Sequence, residues 1–464
     1  MKDISCKVLV IGAGPGGYVC AIRAGQLGLD TVIVEAGPLG GTCLNVGCIP
    51  SKAVIHAADT FHKMVEASEG NSPLGIRVAA PQIDFKLTTV WKNTLVGRLN
   101  LGVAGLLKKA GVKTVTGWAT FRDGKTVEVS TETGIQVIRA ESVVIATGSR
   151  AVELPGLPFG GPVISSTESL ALQAIPPNMA VVGGGYIGLE LGTAFAKLGS
   201  KVTVVEGADR ILPQYDAELV RPVAARLKAL GVEVLTGVTA SELVDTNGGL
   251  AIEADGATRT VPADKILVTV GRRPVVEGWG LEGLDLDRDG QFLRIDDHCR
   301  TSMRGVFAIG DVSGEPMLAH RAMAQGEMVA EILAGQPRSW DKVAIPAVCF
   351  TDPEIVTVGL SPDRAAEQGI GTISKAFPFQ ANGRAMTVER EDGFIRVVAR
   401  ESTHLVLGLQ AVGANVSELA AAFSLSLEMG ARLEDIAATI HAHPTQGEAL
   451  HEAVQRTLGM ALHI

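Results

Sequence analysis

Cys43 and Cys48 stand five positions apart in the segment Leu39-Gly40-Gly41-Thr42-Cys43-Leu44-Asn45-Val46-Gly47-Cys48-Ile49-Pro50-Ser51-Lys52. Two thiols so close in a chain can cycle between dithiol and disulfide and thereby carry two electrons. On a regular helix a five-residue step turns by about 140°, so the sulfurs meet only across a distorted turn, which Gly47 and Pro50 make easy. With Pro50 near a helix start, Cys48 lies where the helix dipole lowers a thiol pKa and favours the thiolate that disulfide exchange needs. The other cysteines, Cys6, Cys20, Cys299 and Cys349, are too few for a structural disulfide framework in 464 residues.

A second chemistry is written twice. The run Lys7 to Ile11 leads into Gly12-Ala13-Gly14-Pro15-Gly16-Gly17, then a helical pattern to Leu27-Gly28 and a strand Thr31 to Val34 that stops at Glu35. The same order returns with Ala180 to Val182, Gly183-Gly184-Gly185-Tyr186-Ile187-Gly188, a helical stretch to Leu198-Gly199, and a strand Lys201 to Val205 that stops at Glu206. Glycine and acid are separated by 23 residues in both copies (35 − 12 and 206 − 183). A GxGxxG turn after a strand, opening a helix and followed by an acid, is the dinucleotide fingerprint. Gly12 with Gly14, and Gly183 with Gly185, permit the turn and a close approach of backbone N–H groups to a pyrophosphate at a helix N-terminus; Gly17 and Gly188 let helix and strand pack. Glu35 and Glu206 would each accept hydrogen bonds from a ribose, and an acid there repels a 2′-phosphate, which selects NAD over NADP. Two dinucleotide sites with a cysteine pair just beyond the first suggest a relay between a nicotinamide, a dithiol and a second cofactor, FAD.

The elements that position these residues read as an α/β chain. Apolar strands end before glycine at Ser142 to Ala146, followed by Thr147-Gly148-Ser149, and at Lys265 to Val270, followed by Gly271-Arg272-Arg273-Pro274. They mark the crossings between nested domains: 1–150, an inserted second dinucleotide unit at 151–270, and a return of the first domain over 271–345. Gly305 to Ile309 is a strand ending at Gly310-Asp311, and an aspartate at the carboxyl end of such a strand lies where open α/β sheets bind ligands. Residues 346–464 alternate differently, with strands at Ile355 to Val358, Phe394 to Val398 and Leu405 to Val412 and helices at Val416 to Met429 and Leu433 to Ile440, and form a separate α+β domain.

Composition narrows the partners. With 41 Lys and Arg against 50 Asp and Glu, a formal charge of −9, and no long basic cluster, nucleic acid is excluded as a partner. The mean hydropathy is positive, yet the most apolar stretch, Met179 to Ala196, carries Glu190 and five glycines, which suits a buried strand and turn rather than a membrane span. The amino terminus runs into an apolar strand without a signal-peptide pattern, so a cytoplasmic protein is expected. Disulfide exchange at neutral pH benefits from a histidine that takes the thiol proton, held in its tautomer by a carboxylate. His320, His441, His443 and His451 are all candidates, and no cysteine or acid at ligand spacing completes a metal site at His441 and His443.

Taken together, these motifs resemble the flavoprotein disulfide reductase family over essentially the whole chain. The resemblance rests on Gly40 to Cys43, Cys48 to Lys52, Gly310-Asp311, Met317-Leu318-Ala319-His320 and His441-Ala442-His443-Pro444-Thr445. It implies two nested Rossmann-like FAD- and NAD-binding domains and a carboxyl-terminal α+β dimerisation domain. It also implies that Cys48 lies against the flavin, that Cys43 exchanges with the substrate disulfide, and that His443 is the base, oriented by Glu448 and reaching the cysteines of the other subunit of a homodimer. Contacts to FAD are implied at Gly41, Thr42, Lys52, Ala119, Thr147, Gly148, Ser149, Asp311, Met317, Leu318, Ala319 and His320, with Glu190 paired to Lys52. NAD would further meet Tyr186, Ile187, Glu190, Val238 and Gly271.

The implied reaction is the oxidation of dihydrolipoamide with NAD, and the implied partners are the lipoyl domains and acyltransferase of a 2-oxo acid dehydrogenase complex or the lipoyl carrier of glycine cleavage, served as a separate subunit. A glutathione-type reductase using NADPH is the contrasting reading. Glu206, Gly188 in place of alanine, the lack of a phosphate-binding arginine pair and the single arginine in Ile22-Arg23 oppose it. Mercuric reductase would need a carboxyl-terminal cysteine pair, whereas this chain ends Gly459-Met460-Ala461-Leu462-His463-Ile464. A non-catalytic flavoprotein subunit would not require the cysteines, the His443 and Glu448 pair and the NAD fingerprint together.

Overall fold

The computed structural model describes residues 2–70, 72–244, 249–254 and 256–464. They group into two units, one of residues 2–154, Ile164–Ala174 and Val270–Asp341, the other of Pro155–Val163, Ile175–Thr269 and Lys342–Ile464.

Alternation builds the sheet of the first unit. In the strand Ile4–Ile11, Leu9 and Ile11 enter one apolar core with Val32, Val143 and Ile145, while Val8 and Val10 enter another with Ile33, Val144 and Phe307. Both faces are thus covered, as a parallel sheet requires. The strands Lys113–Thr116, Thr31–Glu35, Ile4–Ile11, Gly134–Ile145 and Val306–Ala308 run parallel in that order. The strand read from the sequence as Ser142 to Ala146 is the end of the twelve-residue Gly134–Ile145, whose first half pairs antiparallel with Thr126–Thr131, itself paired with Trp118–Asp123. Exposed and buried residues alternate in that first half, so it lacks the continuous apolar run of the second.

Two helices cross the sheet with their backbones close together. Gly16 and Cys20 of Pro15–Gln26 meet Ala322 and Gly326 of Ala319–Leu333, and a Cβ on Gly326 would collide with the Gly16 carbonyl. Where the chain leaves this unit and returns, Ser149–Ala151 and Arg272–Pro274 form a two-stranded antiparallel ribbon.

The second unit repeats the parallel arrangement, with Glu233–Thr236, Lys201–Glu206, Asn178–Val182 and Lys265–Val268 side by side and the helix Tyr186–Lys197 following the third of these. Its carboxyl-terminal part is a five-stranded antiparallel sheet in the order Ala347–Cys349, Glu354–Gly359, Val406–Gly413, Phe394–Arg400, Thr372–Pro378. Val356, Ile395, Leu409, Phe423, Leu433 and Leu450 share its core with the helices Ala420–Glu428, Leu433–Ala438 and Glu448–Thr457. The helix expected at Val416 to Met429 begins as a 3-10 turn, Val416–Leu419, and that expected to reach Ile440 ends at Ala438. Within this unit the buried Asp352 gathers three cations: Lys197 at 2.6 Å, Arg390 at 2.5 Å and Arg226 at 3.0 Å. Burial alone would raise its pKa, but Lys197 and Arg390 outweigh that and hold the carboxyl well below the usual carboxylate range. Among the described residues no helix is long and apolar enough to cross a membrane.

Candidate active site

The first fingerprint turn is shaped by what cannot fit into it. Gly12 has a φ of +98°, and a Cβ there would strike the Ala146 carbonyl; one on Gly17 would strike the Gly12 carbonyl. At Gly14 a Cβ would meet nothing within 4 Å, and the helix that Gly14 caps has no side chain on its first N–H groups. An open, uncapped helix N-terminus of this kind fits a pyrophosphate. Gly183, Gly188 and Gly185 repeat the pattern: φ is +102° at the first, a Cβ on the second would press on the Gly183 carbonyl and, at 2.5 Å, on Thr269 Oγ1, and the third faces open space. The two acids match as well. Glu35 accepts from the N–H of Ala13 (2.6 Å) and of Gly37 (2.8 Å), and Glu206 from the N–H of Gly184 (2.5 Å) and of Ala208 (2.7 Å). Val238 lies next to Glu206, donating its N–H to the Glu206 carbonyl at 3.1 Å.

The cysteine segment is docked on the first turn. The Gly40 N–H donates to Ala13 O at 2.8 Å, and at Gly41, with φ +58°, a Cβ would come within 2.6 Å of Gly14 Cα. Cys43 and Cys48 form a disulfide with their Cα atoms 4.6 Å apart, inside the range that disulfides span. The segment forms two helices, Gly41–Val46 and Cys48–Ser68, and the expected distorted turn is the break at Gly47, where a Cβ would lie 2.9 Å from the Thr42 carbonyl. The second helix starts at Cys48 rather than near Pro50, so Cys48 itself takes the N-terminal position and Pro50 falls in the first turn, where a missing N–H costs nothing. Lys52 follows Cys48 by one helical turn, on the same face. Asn45 and Asn100 went unnoticed in the sequence: the Asn45 amide donates to Leu39 O (2.9 Å) and Gly41 O (3.0 Å), and Asn100 donates to Leu39 O (2.5 Å) and to Asn45 Oδ1 (3.2 Å). Burial pushes the thiols of Cys6, Cys20 and Cys299 up to about 12, far from a reactive thiolate.

Further along the same unit, Ser149 reaches the turn after Val306–Ala308, while Thr147 and Gly148 meet Val275. Thr147 Oγ1 donates to Val275 O at 2.9 Å, and Ser149 Oγ donates to Asp311 Oδ2 at 2.5 Å. Gly310, with φ +73°, donates its N–H to Gln325 Oε1 at 2.8 Å. Ala119 is buried in the strand Trp118–Asp123, and Met317 and Leu318 lead into the helix that begins at Ala319 and includes His320. The Gly271 carbonyl, at the return crossing, accepts from Val152 N–H at 3.1 Å.

In the second unit, Tyr186 and Ile187 open the helix Tyr186–Lys197, and Glu190, 5 % exposed, accepts from the Phe350 N–H at 2.9 Å. Glu448, first residue of its helix, accepts from Thr445 N–H at 2.8 Å and from His443 Nδ1 at 2.9 Å. Burial would raise the Glu448 pKa, but these two donors outweigh it and the net direction is below the ordinary glutamate value. An ionised carboxylate on Nδ1–H leaves Nε2 as the basic nitrogen, on an imidazole whose side chain is 80 % exposed. His441 and His451 meet in a tilted contact with 5.3 Å between ring centroids, and burial, then the neighbouring His451, lowers the His441 pKa.

The sequence profile of the pyridine nucleotide-disulphide oxidoreductase family matches residues 6–326, and that of its dimerisation domain residues 345–454. A curated dihydrolipoyl dehydrogenase of Pseudomonas aeruginosa is 59% identical over 463 residues, covering 99% of both chains, and one of Halobacterium salinarum is 47% identical over 472 residues, 99% of this chain and 98% of the other. The crystal structure of LpdA from Mycobacterium tuberculosis superposes with a TM-score of 0.88 at 26% identity, over 97% of this chain and 99% of that one. The HOCl-induced flavoprotein disulfide reductase RclA from Escherichia coli shares the fold, with a TM-score of 0.86 at 24% identity over 97% and 99% of the two chains. Since both profiles fall on the units that carry the twin fingerprints, the disulfide and the His443 and Glu448 pair, the chain belongs to the pyridine nucleotide-disulphide oxidoreductase family.

Proposed function

We propose that this chain oxidises protein-bound dihydrolipoamide to lipoamide and reduces NAD to NADH, using FAD and the Cys43–Cys48 disulfide. The observation that carries the reading is the docking of that disulfide on the first fingerprint turn through Gly40 and Gly41. Support comes from the full-length similarity to curated dihydrolipoyl dehydrogenases.

FAD would be held by Gly12, Gly14, Gly17, Glu35, Gly41, Thr42, Lys52, Ala119, Thr147 to Ser149, Asp311 and Met317 to His320. NAD would be held by Gly183, Gly185 to Gly188, Glu190, Glu206, Val238 and Gly271. The division is 1–150 and 271–345 for FAD, 151–270 for NAD and 346–464 for the dimer contact. Bound FAD supplies the two-electron relay between the dithiol and the nicotinamide.

The protein's own part is thiol chemistry. His443 Nε2 takes the proton of one substrate thiol, and the resulting thiolate attacks Cys43 Sγ, forming a mixed disulfide as the Cys43–Cys48 bond breaks. Cys48 leaves as a thiolate, which its place at a helix N-terminus favours. The second substrate thiol attacks the substrate sulfur of the mixed disulfide and its proton passes to the departing Cys43, so lipoamide leaves with two electrons fewer and the protein holds them as the Cys43 thiol and the Cys48 thiolate. Glu448 keeps the His443 ring in the tautomer that accepts at Nε2.

The base would come from the second subunit of a homodimer, in keeping with the dimerisation domain matched at residues 345–454. The lipoyl group would arrive on a lipoyl domain of a 2-oxo acid dehydrogenase or glycine cleavage complex. A cytoplasmic location belongs to the same reading, because disulfides in a reducing compartment are usually catalytic.

Anaerobic titration of the holoprotein with dihydrolipoamide, followed by NAD, tests the whole reading. A change in the long-wavelength flavin absorbance and then the appearance of NADH are expected. Flavin reduction by NADPH with no response to dihydrolipoamide would replace the reading with a glutathione-type reductase.

A further inference from the structure

We propose that Arg272 is a positioning residue for Asp311, acting through the hydroxyl of Ser149. The inference rests on the reading of Asp311 as a contact to FAD.

Arg272 stands on the returning strand of the two-stranded ribbon, opposite Ala151, and its guanidinium reaches across to Ser149, two residues before Ala151, to grip both of its oxygens. Its Nε donates to Ser149 Oγ at 2.8 Å and its Nη2 to the Ser149 carbonyl at 2.7 Å. Arginine offers donors only, a serine hydroxyl has one hydrogen and two acceptor sites, and an ionised aspartate offers acceptors only. The direction of the chain is therefore determined at every link. The guanidinium fills an acceptor site of Ser149, the hydroxyl hydrogen is left for Asp311, and the Ser149 to Asp311 Oδ2 contact of 2.5 Å is the length of a bond to a charged acceptor. Asp311 is thus engaged through Oδ2, and its carboxylate plane is set from the far side of the ribbon. Gly310, held by Gln325, fixes the backbone from which Asp311 projects.

Sequence distance hides the arrangement, since Arg272 and Ser149 are 123 residues apart and Ser149 and Asp311 are 162 apart. The grip also needs arginine's geometry. A lysine has a single point of charge and can reach one of the two serine oxygens at a time.

The test is the rate at which FAD leaves the holoprotein on dilution, followed by the rise in free-flavin fluorescence, for Asp311→Asn, Arg272→Gln, Arg272→Lys, Ser149→Ala and the double variant Arg272→Gln/Ser149→Ala. Arg272→Gln is expected to speed release by roughly tenfold, the scale of one hydrogen bond to a charged group. Arg272→Lys is expected to restore part of that, and Arg272→Gln to add little in the Ser149→Ala background, because without the hydroxyl the relay is already cut. A purely structural arginine would instead give effects that add in the double variant, and that result overturns the proposal. Faster release from Asp311→Asn with none from Arg272→Gln and Arg272→Lys also overturns it while leaving the flavin reading intact, as would a raised KM for NAD with unchanged FAD release. No acceleration in Asp311→Asn refutes the flavin reading itself, and the proposal with it.

Discussion

Glu448 holds two donors at once: the Thr445 N–H, which fixes the carboxylate, and His443 Nδ1–H, which fixes the ring. Replacing His443 with glutamine should lower turnover of dihydrolipoamide by about 10²–10⁴-fold, the worth of a general base. Glu448→Gln should lower it less, since the amide oxygen can still accept from one donor, and FAD should stay bound in both. Steady-state kinetics with dihydrolipoamide and NAD check this; a His443→Gln variant with undiminished turnover would remove the imidazole from the mechanism. Residues of this kind were legible in the sequence where their chemistry is local. Gly12, Gly17 and Glu35 answer to a turn, a helix and a strand end that lie within a few dozen residues, and Cys43 and Cys48 announce themselves by spacing. His443 was not separable from His441, His451 or His320 on the residues alone; the proposed assignment draws on Glu448 at its Nδ1 and on the exposure of its side chain, both of which only the fold supplies. Asn100 and Arg272 carry no local signal, since their partners at Leu39 and Ser149 are 61 and 123 residues away.

Among the elements, the helix Tyr186–Lys197, which opens at the second fingerprint turn, is fixed at its far end. Its last residue, Lys197, is 7 % exposed and paired with the buried Asp352, which Arg226 and Arg390 also reach. Asp352→Asn would leave these cations without their counter-charge and should cost about 3–5 kcal/mol of stability at neutral pH. The folded carboxyl titrates below its unfolded value, so its contribution is complete above the ordinary aspartate pKa of about 3.9 and drains away as the pH falls below it. Denaturant midpoints of wild type and Asp352→Asn should therefore differ most at pH 7 and draw together in acid; a gap that stays constant would refute the assignment. Strands buried on both faces, such as Ile4–Ile11, Thr31–Glu35 and Asn178–Val182, were readable as apolar runs. The antiparallel extension Trp118–Asp123, Thr126–Thr131 and the first half of Gly134–Ile145 was not, because one of its faces meets water and its pattern is diluted.

For the whole molecule, the proposed division of labour places the thiols on one subunit and the base on the other. Chains carrying Cys48→Ser and chains carrying His443→Gln, each inactive alone, should regain activity when unfolded together, refolded with FAD and allowed to assort. Random pairing makes half the dimers hybrid, each with one intact composite site, so about a quarter of wild-type activity is expected. Sites built within single chains would give none, and the dihydrolipoamide assay on the mixture distinguishes the two. The molecule also uses one device twice, a glutamate that braces the backbone on both sides of itself: Glu35 between Ala13 and Gly37, Glu206 between Gly184 and Ala208. On the proposed reading of Glu206 as the ribose acceptor, coenzyme choice is tied to loop shape. An engineer who exchanges Glu206 for a cation would remove the proposed bar to a 2′-phosphate and, in the same stroke, strip two amides of their acceptor. A successful redesign must supply replacement acceptors together with the new charge, and a lineage drifting from one coenzyme towards the other would face a valley rather than a single step.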